Sequence, residues 1–132
     1  MKEGTVVPEE LRYTPEHEWV LISADGTARV GITDYAATQL GDIVHVELPL
    51  VGDLFAPGDP LGEVESTKSV SEVFAPVTGE VVARNEALED NPELVNSDPY
   101  GEGWMIEIRL TEASEMDSLL AAEDYRSLIE QA

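Results

Sequence analysis

Lys68 stands at the bend of a predicted hairpin, in the stretch "GEVESTKSVSEVFAP" from Gly62 to Pro76. The only other lysine is Lys2, in a chain that carries 28 acidic residues. Lys68 is therefore the one side-chain primary amine that the body of this protein offers. Ser66 suits the first position of a type I turn, so the bend can present Lys68 in a defined pose. A lysine at a hairpin tip is more often a solubilising residue, and that interpretation stays open at this point.

The acidic residues near Lys68 indicate the charge state of its amine and therefore its reactivity. Glu63, Glu65 and Glu72 flank it in sequence and favour its charged ammonium form, which is a poor nucleophile. A resident Schiff base is therefore disfavoured. A lysine that another enzyme recognises and acylates fits this setting better.

The other groups that could do chemistry form no catalytic constellation. His17 and His45 are far apart in sequence and no third ligand stands at metal spacing, which predicts no metal site. His45 lies within a predicted strand and is expected to be partly buried, whereas His17 is expected at the surface. The hairpin serines have no adjacent base, so a serine hydrolase is unsupported. Glu16 and Glu18 can serve proton transfer, although solvated charge is the default interpretation of both.

Composition narrows the class of protein. The 132 residues predict one domain large enough to bury a core, and 42% hydrophobic with 27% charged residues is typical of a globular protein. Cysteine is absent, which excludes disulfides and thiol catalysis. The net charge of −21 argues against nucleic acid as a partner and predicts attraction to basic surfaces, although solubility alone explains it equally well. No segment has the length of a membrane span or a signal peptide, so a bacterial cytoplasmic protein is expected.

Short strands separated by turns account for most of the chain. Strands are predicted at residues 19–23 and 27–32, joined by a turn at Asp25 and Gly26. Thr33 is predicted to cap a short helix near residues 33–40, which Gly41 ends. Further strands are predicted at 43–48, in both arms of the Lys68 hairpin, at 80–83 and at 104–110.

The two ends of the chain and its long connections are not predicted to be strands. Residues 51–60 are predicted to be loop with at most a brief strand, and residues 85–103 to be mostly loop with one helical turn near residues 92–95. Residues 1–10 are predicted to be a flexible tail, and residues 114–130 take up a helical spacing. The elements together predict a single domain over residues 1–132, mainly β, in which a small β sandwich or flattened barrel is closed by C-terminal helices.

The residues around Lys68 resemble a known attachment site. "ESTKS" between two strands, followed by "APVTGEVV", resembles the lipoyl-attachment hairpin of lipoyl domains. Biotin carriers share that architecture but typically place Met on both sides of the lysine, where this chain has Thr67 and Ser69, so lipoate is favoured. The segments "YTPEHEWV", "GITDYAATQLGDIVHVELP" and "NPELVNSDPYGEGWMIEI" are similar to the H-protein family of the glycine cleavage system, over residues 11–129. Glu72 departs from that family, which commonly has Asp there.

The resemblance implies a hybrid barrel-sandwich fold and a carrier that has no catalytic residues of its own. Lys68 would bear lipoate in amide linkage, attached by a lipoate ligase or lipoyl transferase. The implied partners are a pyridoxal-phosphate glycine decarboxylase, which loads an aminomethyl group onto one sulfur, and an aminomethyltransferase, which passes the one-carbon unit to tetrahydrofolate. A flavin-dependent dihydrolipoyl dehydrogenase would then restore the disulfide.

Water should release formaldehyde and ammonia from an aminomethyl group on sulfur, so a shallow cleft is expected beside the hairpin, into which the loaded arm folds away from water. Glu18 matches the position thought to hold the charged end of the arm, and His17 and Glu72 are weaker candidates for the same lining. Two alternatives remain at this stage. One is the lipoyl domain of a 2-oxoacid dehydrogenase complex, and the more distant one is a small acid/base hydrolase that uses Glu18 and His17.

Overall fold

The computed structural model of the protein describes residues 6–131, within which nine strands form two antiparallel sheets. The strands are β1 (Arg12–Tyr13), β2 (Glu18–Ile22), β3 (Thr27–Ile32), β4 (Ile43–Glu47), β5 (Leu54–Phe55), β6 (Pro60–Ser66), β7 (Val70–Phe74), β8 (Gly79–Arg84) and β9 (Ile106–Leu110). The helices are α1 (Asp34–Leu40), α2 (Ala87–Asp90), α3 (Leu94–Ser97), a 3-10 helix (Ala113–Ser118) and α4 (Ala122–Glu130). The six-stranded sheet runs β1-β2-β3-β9-β8-β5 and the three-stranded sheet runs β4-β6-β7. The predicted sandwich is confirmed, and its sheets do not close into a barrel.

The first hairpin and the first helix form where the sequence predicts them. The Ser23 amide donates to the Thr27 carbonyl at 2.8 Å, which closes the turn between β2 and β3. The Thr33 hydroxyl accepts from the Ala36 amide at 3.2 Å and so caps α1. Gly41 ends α1 with a φ of 87°, a conformation that favours glycine.

Two hydrophobic clusters hold the layers together. The larger lies between the two sheets and takes aliphatic side chains from both, including Val30 and Val64. The smaller covers the outer face of β1 and β2 with α4 and residues preceding β1, and its centre is Trp19. Trp19 fits because Gly31 lies opposite, where an added Cβ would be 2.7 Å from the indole nitrogen. Full burial of such side chains stabilises the fold by roughly 1.5–3 kcal/mol each.

Residues 6–10 of the predicted flexible tail contact the rest of the domain, and residues 1–5 lie outside the described residues. Val7 is 6% exposed. The Val6 amide donates to the Asp34 carboxylate at 2.9 Å, and the Tyr100 hydroxyl donates to the Val6 carbonyl at 2.6 Å. Arg126 of α4 donates to the Val7 carbonyl at 2.8 Å. These contacts bind the segment to elements from the middle and the end of the chain.

His45 is exposed, so its predicted partial burial is wrong. The pairing of β4 with β6 shifts register between Ile43 and His45, as a β-bulge does. Because the bulge interrupts the alternation of faces, Val44 and His45 both end up exposed.

The helical segments differ from the prediction in detail. The loop at residues 85–103 contains two short helices, α2 and α3, where one helical turn was predicted near residues 92–95. The tail is helical as predicted, but its first part is the 3-10 helix and only α4 is an α-helix.

Candidate modification site at the hairpin tip

The bend that carries Lys68 is fixed by its own residues. The Ser66 amide donates to the Ser69 carbonyl at 2.8 Å, where β6 passes into the bend. The Ser66 hydroxyl accepts from the amides of Lys68 and Ser69 at 3.2 and 3.1 Å. Ser66 is 5% exposed, which keeps water from competing for these bonds. The tip therefore presents Lys68 on an ordered backbone although it contains neither Gly nor Pro.

The tip also rests on the corner between α1 and β4. The Thr67 amide donates to the Asp42 carbonyl at 3.0 Å. The Cε atom of Lys68 lies 3.4 Å from the position that a Cβ at Gly41 would take, so the lysine stem passes close over this glycine. Lys68 is exposed, and the ion pairs found within residues 6–131 do not include it. An accessible amine on a supported tip can be acylated by an enzyme that reads the surrounding surface.

The outer face of the three-stranded sheet is acidic. Glu63 pairs across the strands with both Glu47 and Glu72, so three exposed glutamates stand side by side at about 5 Å spacing. The next row on the same face holds His45, Glu65 and Val70. Like charges placed directly opposite each other destabilise a sheet. This arrangement gives the hairpin that bears Lys68 a strongly negative outer surface.

Glu18 is a buried carboxylate and not a solvated acid, with 2% of its surface exposed. The Thr14 hydroxyl donates to its Oε1 at 2.6 Å, and the Phe74 amide donates to its Oε2 at 3.1 Å. Burial raises the pKa of Glu18, and these two hydrogen bonds oppose that rise. The carboxylate thus ties β2 to the end of β7, the second arm of the Lys68 hairpin.

His17 is half-buried, so the prediction of a surface histidine is wrong. Its backbone has a φ of 75°, which a residue other than glycine rarely adopts. Its Nδ1 lies 2.7 Å from the Tyr125 hydroxyl, which lies 2.8 Å from the Thr33 hydroxyl. Its ring also packs against Tyr35, with ring centroids 4.9 Å apart. Burial lowers the pKa of His17, so the neutral ring is favoured in the folded protein.

The lowered pKa of His17 predicts a pH-dependent stability. Below the ordinary histidine pKa of 6.5 the unfolded chain binds a proton that the folded chain resists, so acidification costs stability through His17. The raised pKa of Glu18 acts in the opposite direction, because its buried charge is relieved as pH falls. The contribution of His17 is isolated by comparing the unmutated protein with His17→Gln, whose side-chain amide can donate to or accept from the Tyr125 hydroxyl.

Thermal unfolding from pH 8 to pH 5 measures this contribution. We expect the unmutated protein to lose stability relative to His17→Gln as pH falls below 6.5, and the two curves to run parallel above it. A constant difference across the whole range would show that the protonation of His17 is not linked to folding.

The candidate residues do not converge on Lys68. Glu18 touches Phe74, six positions beyond Lys68 along the chain, which a strand spans in about 20 Å. Glu72 is exposed on β7 between them. His17 lies beside Glu18, at the start of α1, while the end of α1 lies under Lys68. The structure therefore places Glu18 and His17 beside each other and leaves Glu72 exposed on β7, and no ion pair of residues 6–131 joins any of them to Lys68.

The hydrolase alternative finds no geometric support. The hydrogen bonds seen within residues 6–131 engage Glu18 with Thr14 and Phe74, and His17 with Tyr125, and none joins Glu18 to His17. Glu18 and His17 therefore do not form an acid/base pair in this structure.

Other parts of the described structure offer no competing centre. Cavities of about 420 and 370 Å³ are lined by residues of β4 and α2 and by residues around α3, and neither lining includes Lys68 or Glu18. Within residues 6–131, no three His, Asp or Glu side chains are grouped as metal ligands would be. No helix in that range is both long enough and apolar enough to cross a membrane.

The sequence does not predict that Gly41 and Asp42 support the hairpin tip. Asp42 contributes only its carbonyl oxygen, and a backbone acceptor leaves no trace in residue type. Gly41 was identified as the end of a helix, but nothing in the sequence relates it to Lys68, 27 positions later.

The sequence comparisons all match this chain to one protein family. The sequence profile of the glycine cleavage H-protein family matches residues 11–132. A glycine cleavage system H protein of Psychrobacter sp. (strain PRwf-1) is 58% identical over 121 residues, which are 92% of this chain and 96% of that protein. A protein of the same name from Mycolicibacterium smegmatis is 59% identical over 127 residues, with 93% and 96% covered.

A solved structure agrees with the sequence comparisons. The crystal structure of a glycine cleavage system H protein from Mycobacterium marinum aligns with a TM-score of 0.83 and 42% sequence identity. The alignment covers 92% of this chain and 97% of the other. The similarity therefore extends over both sheets and the tail, beyond the hairpin alone.

Proposed function

Because this chain belongs to the glycine cleavage H-protein family, we propose that it is the lipoyl-bearing shuttle of a glycine cleavage system. The observation that carries the proposal is Lys68, the only lysine within residues 6–131, exposed at an ordered hairpin tip. The proposed role is non-catalytic, with the chemistry performed by partner enzymes.

The residues at the tip suit a lipoyl group in amide linkage to the Lys68 amine. Lys68 is exposed and outside the ion pairs of the described residues, so the amide would form without breaking a salt bridge. The bound group would supply a disulfide that takes up an aminomethyl unit as glycine loses CO2, becomes a dithiol when that unit is passed on, and is then reoxidised. With no cysteine, the chain has no thiol that could trap the arm as a mixed disulfide.

The proposed partners are those of the family's cycle: a pyridoxal-phosphate glycine decarboxylase, an aminomethyltransferase and a dihydrolipoyl dehydrogenase, besides the ligase or transferase that modifies Lys68. The test is reconstitution with glycine, tetrahydrofolate, NAD and the three enzymes. We expect NADH to form only when the lipoylated protein is present. Turnover of glycine by the protein alone, or no dependence on it, would contradict the role.

We also propose that the loaded arm folds back from the tip toward Glu18. Two features support this: Glu18 is a buried carboxylate, and it is hydrogen-bonded to the same hairpin that bears Lys68. A charged ammonium shielded from water needs such a partner. His17, adjacent to Glu18, and Glu72, further along β7 from the tip, are the weaker candidates for the lining.

The acidic row beside the tip predicts electrostatic steering of the partners. Glu47, Glu63 and Glu72 add their charge on the outer face of the sheet whose hairpin carries Lys68. Association with a basic partner surface should slow roughly tenfold from low to high salt, because screening shortens to about 8 Å at physiological ionic strength. Stopped-flow association rates measured against ionic strength test this.

Two triple variants with the same change in charge test whether the steering comes from this row of glutamates. Changing the three row glutamates to Gln should lower the association rate and flatten its salt dependence. Changing three exposed acids elsewhere to Gln, Glu112, Glu123 and Glu130, removes the same amount of negative charge and should have a smaller effect. Rates independent of salt, or equal losses in both variants, would show that this row does not steer the partners.

A further inference from the structure

Asn96 binds the backbone of residues 41–43, the turn between α1 and β4 that supports the hairpin tip with Lys68. Its side chain projects from α3, where the Nδ2 donates to the Gly41 carbonyl at 2.8 Å and the Oδ1 accepts from the Ile43 amide at 2.8 Å. One side chain thus holds the two peptide groups on either side of Asp42. Asp42 itself is exposed and contributes no side-chain bond to the tip among the hydrogen bonds of residues 6–131.

These two bonds set the direction of the Asp42 carbonyl. The peptide group is planar and trans, so the Asp42 C=O and the Ile43 N–H point in opposite directions within one plane. Holding the Ile43 N–H on Asn96 therefore aims the Asp42 carbonyl outward. That carbonyl accepts from the Thr67 amide at 3.0 Å, one residue before Lys68. A continuous path of hydrogen bonds runs from Asn96 through the corner to the tip.

We propose that Asn96 is a positioning residue for Lys68. It acts through the 41–43 corner and keeps the tip in the conformation that a modifying enzyme meets. The consequence for modification rests on the proposed lipoyl function, whereas the effect on the tip itself does not. Asn96 is 28 positions from Lys68 and has no direct contact with it among the hydrogen bonds of the described residues.

Asn85 offers a matched control. Its Nδ2 donates to the carbonyls of Glu102 and Trp104, both at 2.7 Å, and its Oδ1 accepts from the Ala87 amide at 3.2 Å. Asn85 is buried, at 7% exposure, and Asn96 is half-buried. Asn85→Ala therefore removes a comparable set of side-chain to backbone hydrogen bonds and leaves the bonds of residues 41–43 and of the hairpin tip in place.

Cleavage by a lysine-specific protease tests the tip directly, because Lys68 and Lys2 are the only sites in the chain. Proteolysis requires local opening, so its rate follows the stability of the tip. We expect Asn96→Ala to be cut at Lys68 about tenfold faster than the unmutated protein, the ratio expected from losing two partly buried hydrogen bonds. Asn85→Ala should be cut at close to the unmutated rate. Equal cleavage of the two alanine variants would overturn the proposal.

Asn96→Asp separates the two bonds and covers the case in which the alanine variant does not fold. Aspartate keeps an acceptor for the Ile43 amide and loses the donor to Gly41. We expect roughly threefold faster cleavage, between the unmutated protein and Asn96→Ala. Cleavage of Asn96→Asp at the unmutated rate, with Asn96→Ala unfolded, would likewise overturn the proposal.

Modification kinetics give a second readout. With a lipoate ligase, lipoate and ATP, Asn96→Ala should show a higher KM for the protein with kcat nearly unchanged, because only the fraction with an ordered tip is recognised, and the factor should be smaller than the change in cleavage rate. Asn85→Ala should match the unmutated protein in both constants, and an unchanged KM in Asn96→Ala would count against the inference. If the unmutated protein is not lipoylated at all, the proposed function fails, and the cleavage rates still decide the role of Asn96.

Discussion

Lys68→Arg should abolish both lipoylation and glycine-dependent NADH formation while leaving the fold intact. Arginine keeps the positive charge and a long stem, but its guanidinium stays protonated and is not acylated as a primary amine is. Lys68 is exposed and outside the ion pairs of residues 6–131, so the change in stability should stay within about 0.5 kcal/mol. The measurements are lipoyl incorporation, turnover in the reconstituted system and thermal unfolding.

Lys2→Arg is the control for this prediction. Lys2 is the only other lysine, and replacing it should leave lipoylation and turnover unchanged. Activity that survives in Lys68→Arg, or lipoylation that is lost in Lys2→Arg, would show that the attachment site has been misassigned.

Glu18→Gln should make the loaded protein lose its cargo about tenfold faster when no partner is present. Water releases formaldehyde and ammonia from an aminomethyl group on sulfur and leaves the thiol. The proposed role of Glu18 is to hold the ammonium end of that group out of water, and a hydrogen bond between charged groups contributes roughly 1.5–3 kcal/mol. Glutamine keeps the size of the side chain but removes the charge, so the protein should still fold. The measurement is the rate of formaldehyde release from the isolated, loaded protein.

Thr14→Val separates the charge of Glu18 from its place in the fold. The Thr14 hydroxyl donates to the Glu18 carboxylate at 2.6 Å and accepts from the Glu18 amide at 3.1 Å, and valine removes both bonds while leaving the carboxylate. We expect formaldehyde release from Thr14→Val to stay close to the unmutated rate. Release from Glu18→Gln at the unmutated rate, or equal acceleration in both variants, would leave Glu18 with only its structural role between β2 and β7.

The parts of the fold that the sequence predicted are set by local chemistry. Asp25 and Gly26 form the turn between β2 and β3, and Thr33 and Gly41 begin and end α1, each through contacts a few residues away. Lys68 was found for the same reason, since the strands on either side place it at a bend. A pattern within ten residues is enough for elements of this kind.

The parts that escaped prediction depend on contacts between distant segments. Val7 is buried because α4 and the loop before β9 cover it, and His17 is half-buried because Tyr125 reaches it from α4. His45 is exposed because a bulge in the pairing of β4 with β6 turns it outward. Each outcome depends on a partner that the local pattern does not contain.

The candidate site also has one part set by neighbouring residues and another part set by distant ones. The hairpin and Ser66 could be anticipated, because a serine at the start of a bend can hold the amides that follow it. The support from Asp42 and Asn96 could not, because it uses backbone atoms and a side chain 28 positions away. Glu18 was chosen as a candidate by resemblance, but its burial became visible only once β2 and β7 were in place.

Intact-mass spectrometry with peptide mapping tests the proposed modification itself. The protein would be produced together with a lipoate ligase and lipoate, then digested and mapped. We expect the intact mass to rise by one lipoyl group, located on the peptide that contains Lys68. An unmodified protein under conditions in which a known lipoyl domain is fully modified, or a lipoyl group found on Lys2, would contradict the assignment of Lys68 as the attachment site.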